Sequence, residues 1–336
     1  MNLGEFGLTD YTPLMSLFPR KQNLLEELGF FTESNTDYLD TEWFTLEREY
    51  KGLTSMSHLA RGADRNFLGN EDAKQVQLKV PFAPLDAVTK PQEVNAFREY
   101  GTEGAPATVE RLVERKVGQI QRSHADLVRA SQYGALVNNK VYAVKRDGTE
   151  WTSLAVDFST LWDAPRQTGA VDLTDDTTNP FDALTAARAA VIEKAGDNAD
   201  AYDMGVICNT AQFDAIVTHP LVQDAYAMYA SEQEPLRKRL SGNRNNRTFR
   251  HLGLVILEDI SGNITDTTLY VLPFGIEEMF SAAYAPADTI EHVGKISEGS
   301  YLFMKESARS VTVESEVSYI ACINRPELIT DVTVTL

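Results

Sequence analysis

The chain has 336 residues, 43% of them hydrophobic, which is enough to build one large core or two smaller ones. With 31 basic and 49 acidic residues its formal net charge is −18, and such a surface repels phosphate backbones. This balance argues against a dedicated nucleic-acid binder and is otherwise typical of high solubility. No basic and apolar leader opens the sequence, and no apolar run approaches the ~20 residues of a membrane span, so we expect neither a signal peptide nor a membrane protein.

The first segment, residues 1–44, reads as a polar arm that contains one short amphipathic helix. Leu24, Leu25 and Leu28 fall on one helical face, and Gly29 is a natural stop. A helix this short cannot fold alone, so the arm is expected to lie on another surface.

Residues 45–82 read as two extended segments around a long, charged, glycine-bearing tip. The return strand "VQLKVPF" alternates apolar and polar positions, which predicts one buried face. Its apolar positions are Val76, Leu78, Val80 and Phe82. A hairpin of this length with little local core is expected to pack on a neighbour or to be disordered.

The strongest helix prediction covers residues 105–137, where apolar residues recur with helical spacing for about nine turns. Pro106 stands near its start and Asn138 and Asn139 mark its end. At ~1.5 Å per residue the helix is nearly 50 Å long, which suggests a beam in an elongated subunit. The apolar stripe consists of Val109, Leu112, Val113, Val117, Ile120, Leu127, Val128, Ser131 and Ala135.

Beyond the long helix, strands and helices alternate. Asp147-Gly148 between two apolar runs predicts a hairpin over residues 140–158, and "TGAVDLTDDTTNP" (168–180) predicts a polar loop. The pattern then predicts helices and strands in a mixed α/β domain. In order these are helix 181–196, strand 204–209, helices 210–219 and 220–230, strands 251–259 and 268–274, and a mostly extended tail, 300–336, that Pro326 interrupts.

A search for catalytic or metal chemistry finds little. The five histidines are dispersed, and His124, on the long helix stripe, is expected to be a packing residue. Cys208 and Cys322 lie in apolar runs without metal-ligand spacing, so both are expected to be buried, reduced thiols in a chain made in the cytoplasm. No phosphate-binding loop or nucleophile elbow occurs in a suitable context. We therefore expect no catalytic residues, no metal and no cofactor.

Two carboxylate groups offer weaker candidates. Asp172, Asp175 and Asp176 lack the pattern of a calcium loop and are better explained as a solvated turn. In "YAPADTIEHVG" (284–294) an acid–base pair could be formed by Asp288 and Glu291, next to His292. These residues are the starting point of the alternative in which the chain is a soluble α/β enzyme of unknown chemistry.

One segment is basic, although the chain as a whole is acidic. "RKRLSGNRNNRTFR" (237–250) carries six positive charges and no negative one. It could dock onto an acidic copy of the same protein, or serve an oligomeric DNA-binding module. Because the rest of the chain is so acidic, docking between copies is the favoured interpretation.

Five stretches, in chain order, resemble the major capsid proteins of tailed bacteriophages, specifically the lambda-type capsid protein E family with the Hong Kong 97-type fold. They are "FPRKQNLLEELGFFTE" (18–33), "YKGLTSMSHLARGA" (50–63), "FDAIVTHPLVQDAYAMY" (213–229), "YAPADTIEHVG" (284–294) and "CINRPELI" (322–329). Each is weak alone, but together they span most of the chain.

The resemblance implies an α+β fold with four parts. These are an N-terminal arm (1–44), an extended β-hairpin loop (45–92), a peripheral domain with a long spine helix (93–152 and 292–320, helix 105–137) and an axial α/β domain (153–291 and 321–336). On this view "YAPAD" is a structural connection from the axial back to the peripheral domain.

The same resemblance implies a virion protein with no enzymatic activity. Its copies would form pentamers and hexamers of an icosahedral shell that encloses double-stranded DNA without sequence-specific binding. Since no scaffolding region precedes the arm, a separate scaffolding protein is expected, with portal and decoration proteins as further partners. Covalent crosslinking is not predicted. The candidate intersubunit contacts are Arg48, Lys51, Arg61, Gly62, Arg65, Lys74, Lys79, Arg237, Lys238, Arg239, Arg244 and Arg247.

Overall fold

The structure is a computed structural model that describes residues 9–13, 23–50, 72–96, 109–195, 203–227, 246–276 and 279–336. The strands are β1 (Thr9–Asp10), β2 (Thr36–Tyr38), β3 (Trp43–Tyr50), β4 (Asp72–Lys79), β5 (Phe82–Pro84), β6 (Ala87–Thr89), β7 (Gln167–Asp172), β8 (Asp203–Asn209), β9 (Thr248–His251), β10 (Leu254–Asp259), β11 (Thr268–Phe274), β12 (Phe280–Tyr284), β13 (Ser300–Ser307), β14 (Ser310–Ile323) and β15 (Thr330–Thr335). The α-helices are α1 (Leu24–Glu27), α2 (Pro91–Ala96), α3 (Val109–Asn138), α4 (Phe158–Trp162), α5 (Pro180–Ala195), α6 (Thr210–Thr218) and α7 (Pro220–Ala227).

The first large sheet is organised around β14. The strand order is β1-β13-β14-β12-β2, and β5 and β6 also pair with β14. The first half of β14 alternates buried and half-exposed residues, whereas its second half, "SYIACI", is buried throughout. The first half of β14 therefore lies where the sheet has one open face, and its second half lies in the main core.

The second sheet has the order β7-β15-β11-β8-β10-β9 and mixes directions. β8 pairs in parallel with β10 and antiparallel with β11, and the near-continuous apolar runs of these three strands are buried. The expected mixed α/β unit is thus present. The expected loop at 168–180 is wrong in its first part, because 168–172 belong to edge strand β7, which pairs in parallel with β15.

The long helix predicted from the apolar stripe is present as α3. Its 30 described residues make it about 45 Å long at ~1.5 Å per residue. Val113, Val117 and Ile120 pack against Leu302 and Val313 of the first sheet. The later turns enter the main core, which contains side chains from both sheets. Of the stripe, Val109 is exposed, and Leu127 is half-buried and packs against the main core. The predicted start of the helix, 105–108, lies outside the described residues.

The two strands expected around the polar tip form a separate two-stranded sheet, β3–β4, in the register Trp43↔Lys79 to Tyr50↔Asp72. Leu78 and Val80 are buried as predicted, but Phe82 is exposed. The strand ends at Lys79, and Phe82 begins β5, which pairs with β14 in the other sheet. The alternation of apolar and polar residues in the return strand therefore does not extend to Phe82.

Asp147-Gly148 forms the expected turn. Lys145 N donates to Thr149 O at 2.8 Å, and Gly148 has a φ of 81°, which favours glycine. The arms are joined by single bridges, Val144↔Glu150 and Lys140↔Asp157, instead of by two regular strands.

The arm is fastened to its own subunit by α1. Asn23 caps the helix with Glu26 in a capping box, and Leu24 is buried in the main core. Gln132 of α3 donates Nε2 to Glu26 Oε1 at 3.0 Å and to Tyr319 Oη of β14 at 2.9 Å. The arm was expected to lie on another surface, and α3 and β14 of the same chain supply that surface.

Candidate assembly surfaces

Residues 285–299, which include most of "YAPADTIEHVG", connect β12 to β13. Both strands pair with β14, so the segment links two strands of the same sheet. Its two ends are held together because Ser297 Oγ donates to Ala285 O at 3.0 Å. Ser297 N also donates to Leu39 O at 2.8 Å, which ties the segment to the chain that enters the hairpin. The segment is therefore a structural connection with a defined shape.

His292 fastens the middle of this connection. Its ring is buried and lies 5.0 Å from the Tyr301 ring and 5.6 Å from the Phe303 ring, centroid to centroid. Its Nδ1 is 2.6 Å from Thr289 Oγ1. Asp288 and Glu291, the other two side chains of the enzymatic alternative, are exposed, whereas His292 is buried against aromatic rings.

Three apolar side chains project from the same connection. Ile290, Val293 and Ile296 are 73%, 79% and 70% exposed, the highest values among the large hydrophobic residues that the structure describes. We call these three residues the apolar ridge. Two polar residues next to them, His292 and Ser297, are buried instead.

The ridge has an acidic border. Asp288, Glu291 and Glu298 are exposed on this connection, against one exposed cation, Lys295. Next to them, Asp288 N donates to Glu316 Oε2 at 2.8 Å. Partial burial raises the pKa of Glu316, and nearby carboxylates, that of Asp288 among them, add to the effect. The electrostatic environment is therefore negative.

A second exposed apolar site lies at the Asp147-Gly148 turn. Val144 and Trp151, one on each arm, are 46% and 49% exposed. We call residues 144–151 the turn site. Lys145, Arg146, Asp147 and Glu150 are all exposed here, so the formal charges of the turn site cancel. Asp147 accepts hydrogen bonds from Thr149, which lower the pKa of its carboxyl group, and Glu150 accepts one from Lys140.

Three of the predicted contact residues on the hairpin bind their own chain. Arg48 Nη2 lies 2.6 Å from Glu327 Oε1, and its Nη1 donates to Asn324 O at 3.1 Å. Lys74 Nζ donates to Leu161 O at 2.6 Å. Lys79 forms an ion pair of 2.9 Å with Glu42, and both side chains are exposed. Of the three, Lys79 is the most accessible to another molecule.

Arg247, predicted as part of the basic segment, is also engaged within the chain. It donates two hydrogen bonds of 2.8 Å to the buried Glu258, lies 2.7 Å from Asp214 and covers the Phe213 ring at 4.7 Å. Burial acts to raise the pKa of Glu258, but the hydrogen bonds from Arg247 hold it below its usual value. The other candidates lie outside the described residues. These are Lys51, Arg61, Gly62, Arg65, Arg237, Lys238, Arg239 and Arg244.

The acidic turn behaves as a solvated loop. Hydrogen bonds from Thr177 and Thr178 lower the pKa of Asp175 to about 2, and Asp172 binds Thr174 in the same way. Among the described residues, no group of three or more histidine, cysteine or carboxylate side chains is placed to hold a metal ion. Of the helices in that part of the chain, none is long and apolar enough to cross a membrane.

Comparison with known proteins decides between the alternatives. The family model "Phage major capsid protein E" matches residues 9–334. The chain belongs to this family. It is also similar to the major capsid protein of Pseudomonas phage KPP10, with 25% identity over 97% of this chain and 96% of that protein. The expected function, a capsid subunit that is part of the virion, is confirmed.

Solved capsid structures share the fold at low sequence identity. A chain in the capsid of Myoviridae phage XM1 has a TM-score of 0.55 and 10% identity, covering 94% of this chain and 92% of that one. A chain in the capsid of cyanophage P-SCSP1u has a TM-score of 0.53 and 10% identity, covering 94% and 89%. A chain in the procapsid of satellite phage P4 has a TM-score of 0.51 and 12% identity, covering 96% of this chain and 99% of that one. The expected Hong Kong 97-type α+β capsid fold is therefore confirmed.

The exposed apolar residues of the ridge and of the turn site were missed from the sequence. The available signal was the placement of Ile290, Val293 and Ile296 among charged residues and glycine, where solvent exposure is the rule. Which of these side chains turn outward depends on the burial of His292 and Ser297, and therefore on the fold.

Proposed function

We propose that copies of this capsid protein assemble into pentamers and hexamers, which form an icosahedral shell around double-stranded DNA. The observation that carries the proposal is the family match from residue 9 to residue 334, which includes both sheets and α3. Shells built by many copies of one chain need several contact surfaces on each subunit. The ridge and the turn site expose apolar side chains that such contacts could bury.

The electrostatics are compatible with assembly and with enclosure of DNA. Repulsion between copies of charge −18 is screened beyond ~8 Å at physiological ionic strength. Apolar contacts contribute roughly 25 cal/mol per Å² before ordering costs and can exceed the residual repulsion. An acidic wall would enclose DNA without gripping it. The engagement of Arg247 by Glu258 and Asp214 also reduces the charge that residues 237–250 could offer to DNA.

We also propose a division into domains based on the two sheets. The first sheet with α3 would be the peripheral domain, and the second sheet with α5 and α6 the axial domain. Because β12 pairs with β14, this division places residues 280–291 with the peripheral part, whereas the sequence-based limits placed them with the axial part.

Scaffolding, portal and decoration proteins are proposed as partners on the strength of the family. In support, the satellite phage P4 procapsid, whose chain shares this fold, includes a size determination protein.

The test is to produce the chain alone and together with the other head proteins of its phage. The products are then measured by light scattering and electron microscopy. We expect rings of five and six subunits and closed shells, with DNA-filled particles in infected cells. A chain that stays monomeric in every condition would contradict the proposal.

A further inference from the structure

We propose that the outer face of α3 binds the phosphate backbone of the enclosed double-stranded DNA. The inference rests on the proposed function and adds to it a contact site and an orientation, with α3 on the side of the subunit that faces the interior of the shell. Its basis is a line of exposed arginines on α3, which we call the arginine row. The row consists of Arg111, Arg115, Arg122 and Arg129.

The arginine row lies on the side of α3 that faces away from the first sheet. At 3.6 residues per turn its four positions fall within about 40° of one another, opposite the buried Val117, Ile120 and His124. Arg115, Arg122 and Arg129 follow one another at intervals of two turns, or about 10 Å. Since phosphates follow one another at ~3.4 Å along each DNA strand, each guanidinium group meets a different phosphate.

Few carboxylates compete for the row. Asp126 lies beside it and pairs with Arg129 at 2.7 Å, but both side chains are largely exposed, and such surface pairs contribute at most about 1 kcal/mol. Glu114 is turned about 80° away from the row. Among the residues that the structure describes, Arg122 has no hydrogen bond or ion pair. Residues 109–130 contain five basic and three acidic side chains, so this part of α3 stays positive in a chain of charge −18.

The two faces of the first sheet differ in charge. α3 covers one face, where His124 meets Ser315 of β14. Because neighbouring residues of a strand alternate, Glu314 and Glu316 point to the other face. The connection 285–299 packs there, since His292 contacts the Tyr301 ring, and it adds the acidic border of the ridge. DNA is repelled by that acidic face and attracted by the face that carries the row.

The composition of the outer face of α3 favours DNA over a protein partner. Contacts between proteins usually have an apolar centre. In the described part of α3, the only large apolar side chain that is exposed is Val109, in the first turn. Phosphate contacts need only cationic and polar groups, and arginine binds phosphate with two parallel hydrogen bonds. The row therefore has the composition of a phosphate-binding surface.

DNA binding by the unassembled subunit tests the contact. The probe is a short, fluorescently labelled DNA duplex of mixed sequence, and its anisotropy is measured at low and then rising salt. The row variant combines Arg115→Gln, Arg122→Gln and Arg129→Gln. The control variant lowers the charge by the same amount at three exposed positions outside α3, with Lys145→Gln, Arg146→Gln and Lys305→Gln.

We expect the row variant to bind the duplex at least tenfold more weakly than the unsubstituted subunit, and the control variant to change little. The log–log salt slope of the row variant should be smaller by about 2.7, at ~0.9 per lost phosphate contact. Equal weakening of both variants, or no binding by the unsubstituted subunit, would overturn the inference and leave the assembly function intact. Tighter binding of a polyglutamate peptide than of the duplex would assign the row to an acidic protein and overturn the DNA assignment.

A second experiment tests the orientation in closed, DNA-free shells of an Arg122→Cys chain. The native thiols Cys208 and Cys322 are fully buried, and burial raises both pKa values, so the engineered thiol reacts first. We expect reaction with N-ethylmaleimide, which is small enough to diffuse between subunits. A polyethylene glycol maleimide that is too large to enter should react only after the shells are opened.

Reaction of closed shells with the large reagent would place the row on the outside, and no reaction with either reagent would place it in a contact between subunits. Both results would overturn the inference and leave the assembly function intact. If the unsubstituted chain forms no shells, the proposed function fails, and the inference with it.

Discussion

The ion pair between Arg48 of β3 and Glu327 fastens the extended hairpin to the junction between the two large sheets. Nη2 lies 2.6 Å from Oε1, and the side chains are only 14% and 12% exposed. Glu327→Ala removes the carboxylate and leaves the guanidinium in a largely desolvated place. Breaking a buried pair costs about 3 kcal/mol or more. At the ~2 °C per kcal/mol of larger domains, we expect the unfolding midpoint to fall by about 6 °C.

The assay is thermal and urea unfolding of the unassembled subunit. Glu42→Ala is the matched control, because the Glu42–Lys79 pair is on the same hairpin but 58% and 45% exposed, and should cost less than about 1 kcal/mol. Replacing both partners, Arg48→Met with Glu327→Leu, should recover most of the loss, since apolar pairs often substitute well for buried ion pairs. If Glu327→Ala behaves like Glu42→Ala, the pair is not structural and the reasoning is refuted.

Two further predictions concern the core. Burial lowers the pKa of His124 to about 4 from 6.5, so the unfolded chain takes up a proton between these pH values and the folded chain does not. Stability should therefore fall as pH drops from 6.5 to 4, by about 3 kcal/mol in all, and His124→Gln should remove this dependence in unfolding measurements. A Cβ on Gly205 would lie 1.7 Å from Phe274 Cζ, so Gly205→Ala should cost about 1–3 kcal/mol in urea unfolding.

Each of these predictions has an internal check. An unchanged pH profile in the His124→Gln variant would show that another group is responsible for acid sensitivity. For the glycine, Gly169→Ala is the control in the same sheet, because its nearest neighbour, Val332, is at 3.4 Å. Equal stability of the two alanine variants would mean that the Phe274 ring moves away at no cost.

The parts of the fold that were predictable depend on local signals. The apolar stripe of α3 and the apolar runs of β8 and β11 each lie within one continuous segment. The periodicity of the stripe and the composition of the runs therefore identify these elements. Strand β7 was missed because it is held extended by pairing with β15, which lies far along the chain. Phe82 was misassigned for a similar reason, since its partner is β14 and not the hairpin.

The candidate surfaces were less predictable than the fold. Arg48, Lys74 and Arg247 look like free surface charges in the sequence, and only the tertiary structure shows that they bind Glu327, Leu161 and Glu258. The ridge was hidden for the opposite reason. Large apolar residues are usually buried, and only the structure shows that Ile290, Val293 and Ile296 are exposed while His292 and Ser297 beside them are buried.

The position of β14 in the first sheet has a consequence for the timing of capsid production. Its partners come from residues 82–84, 87–89, 280–284 and 300–307, so the central strand leaves the ribosome after all of these partners. The contacts of β14 with residues 82–89 are distant in sequence and form slowly, and the first sheet cannot close before β14 is made. Strand β13, which follows the ridge and carries the rings that hold His292, lacks its main partner until then. A chain that stops before β14 therefore cannot complete the first sheet or fix the strand that follows the ridge.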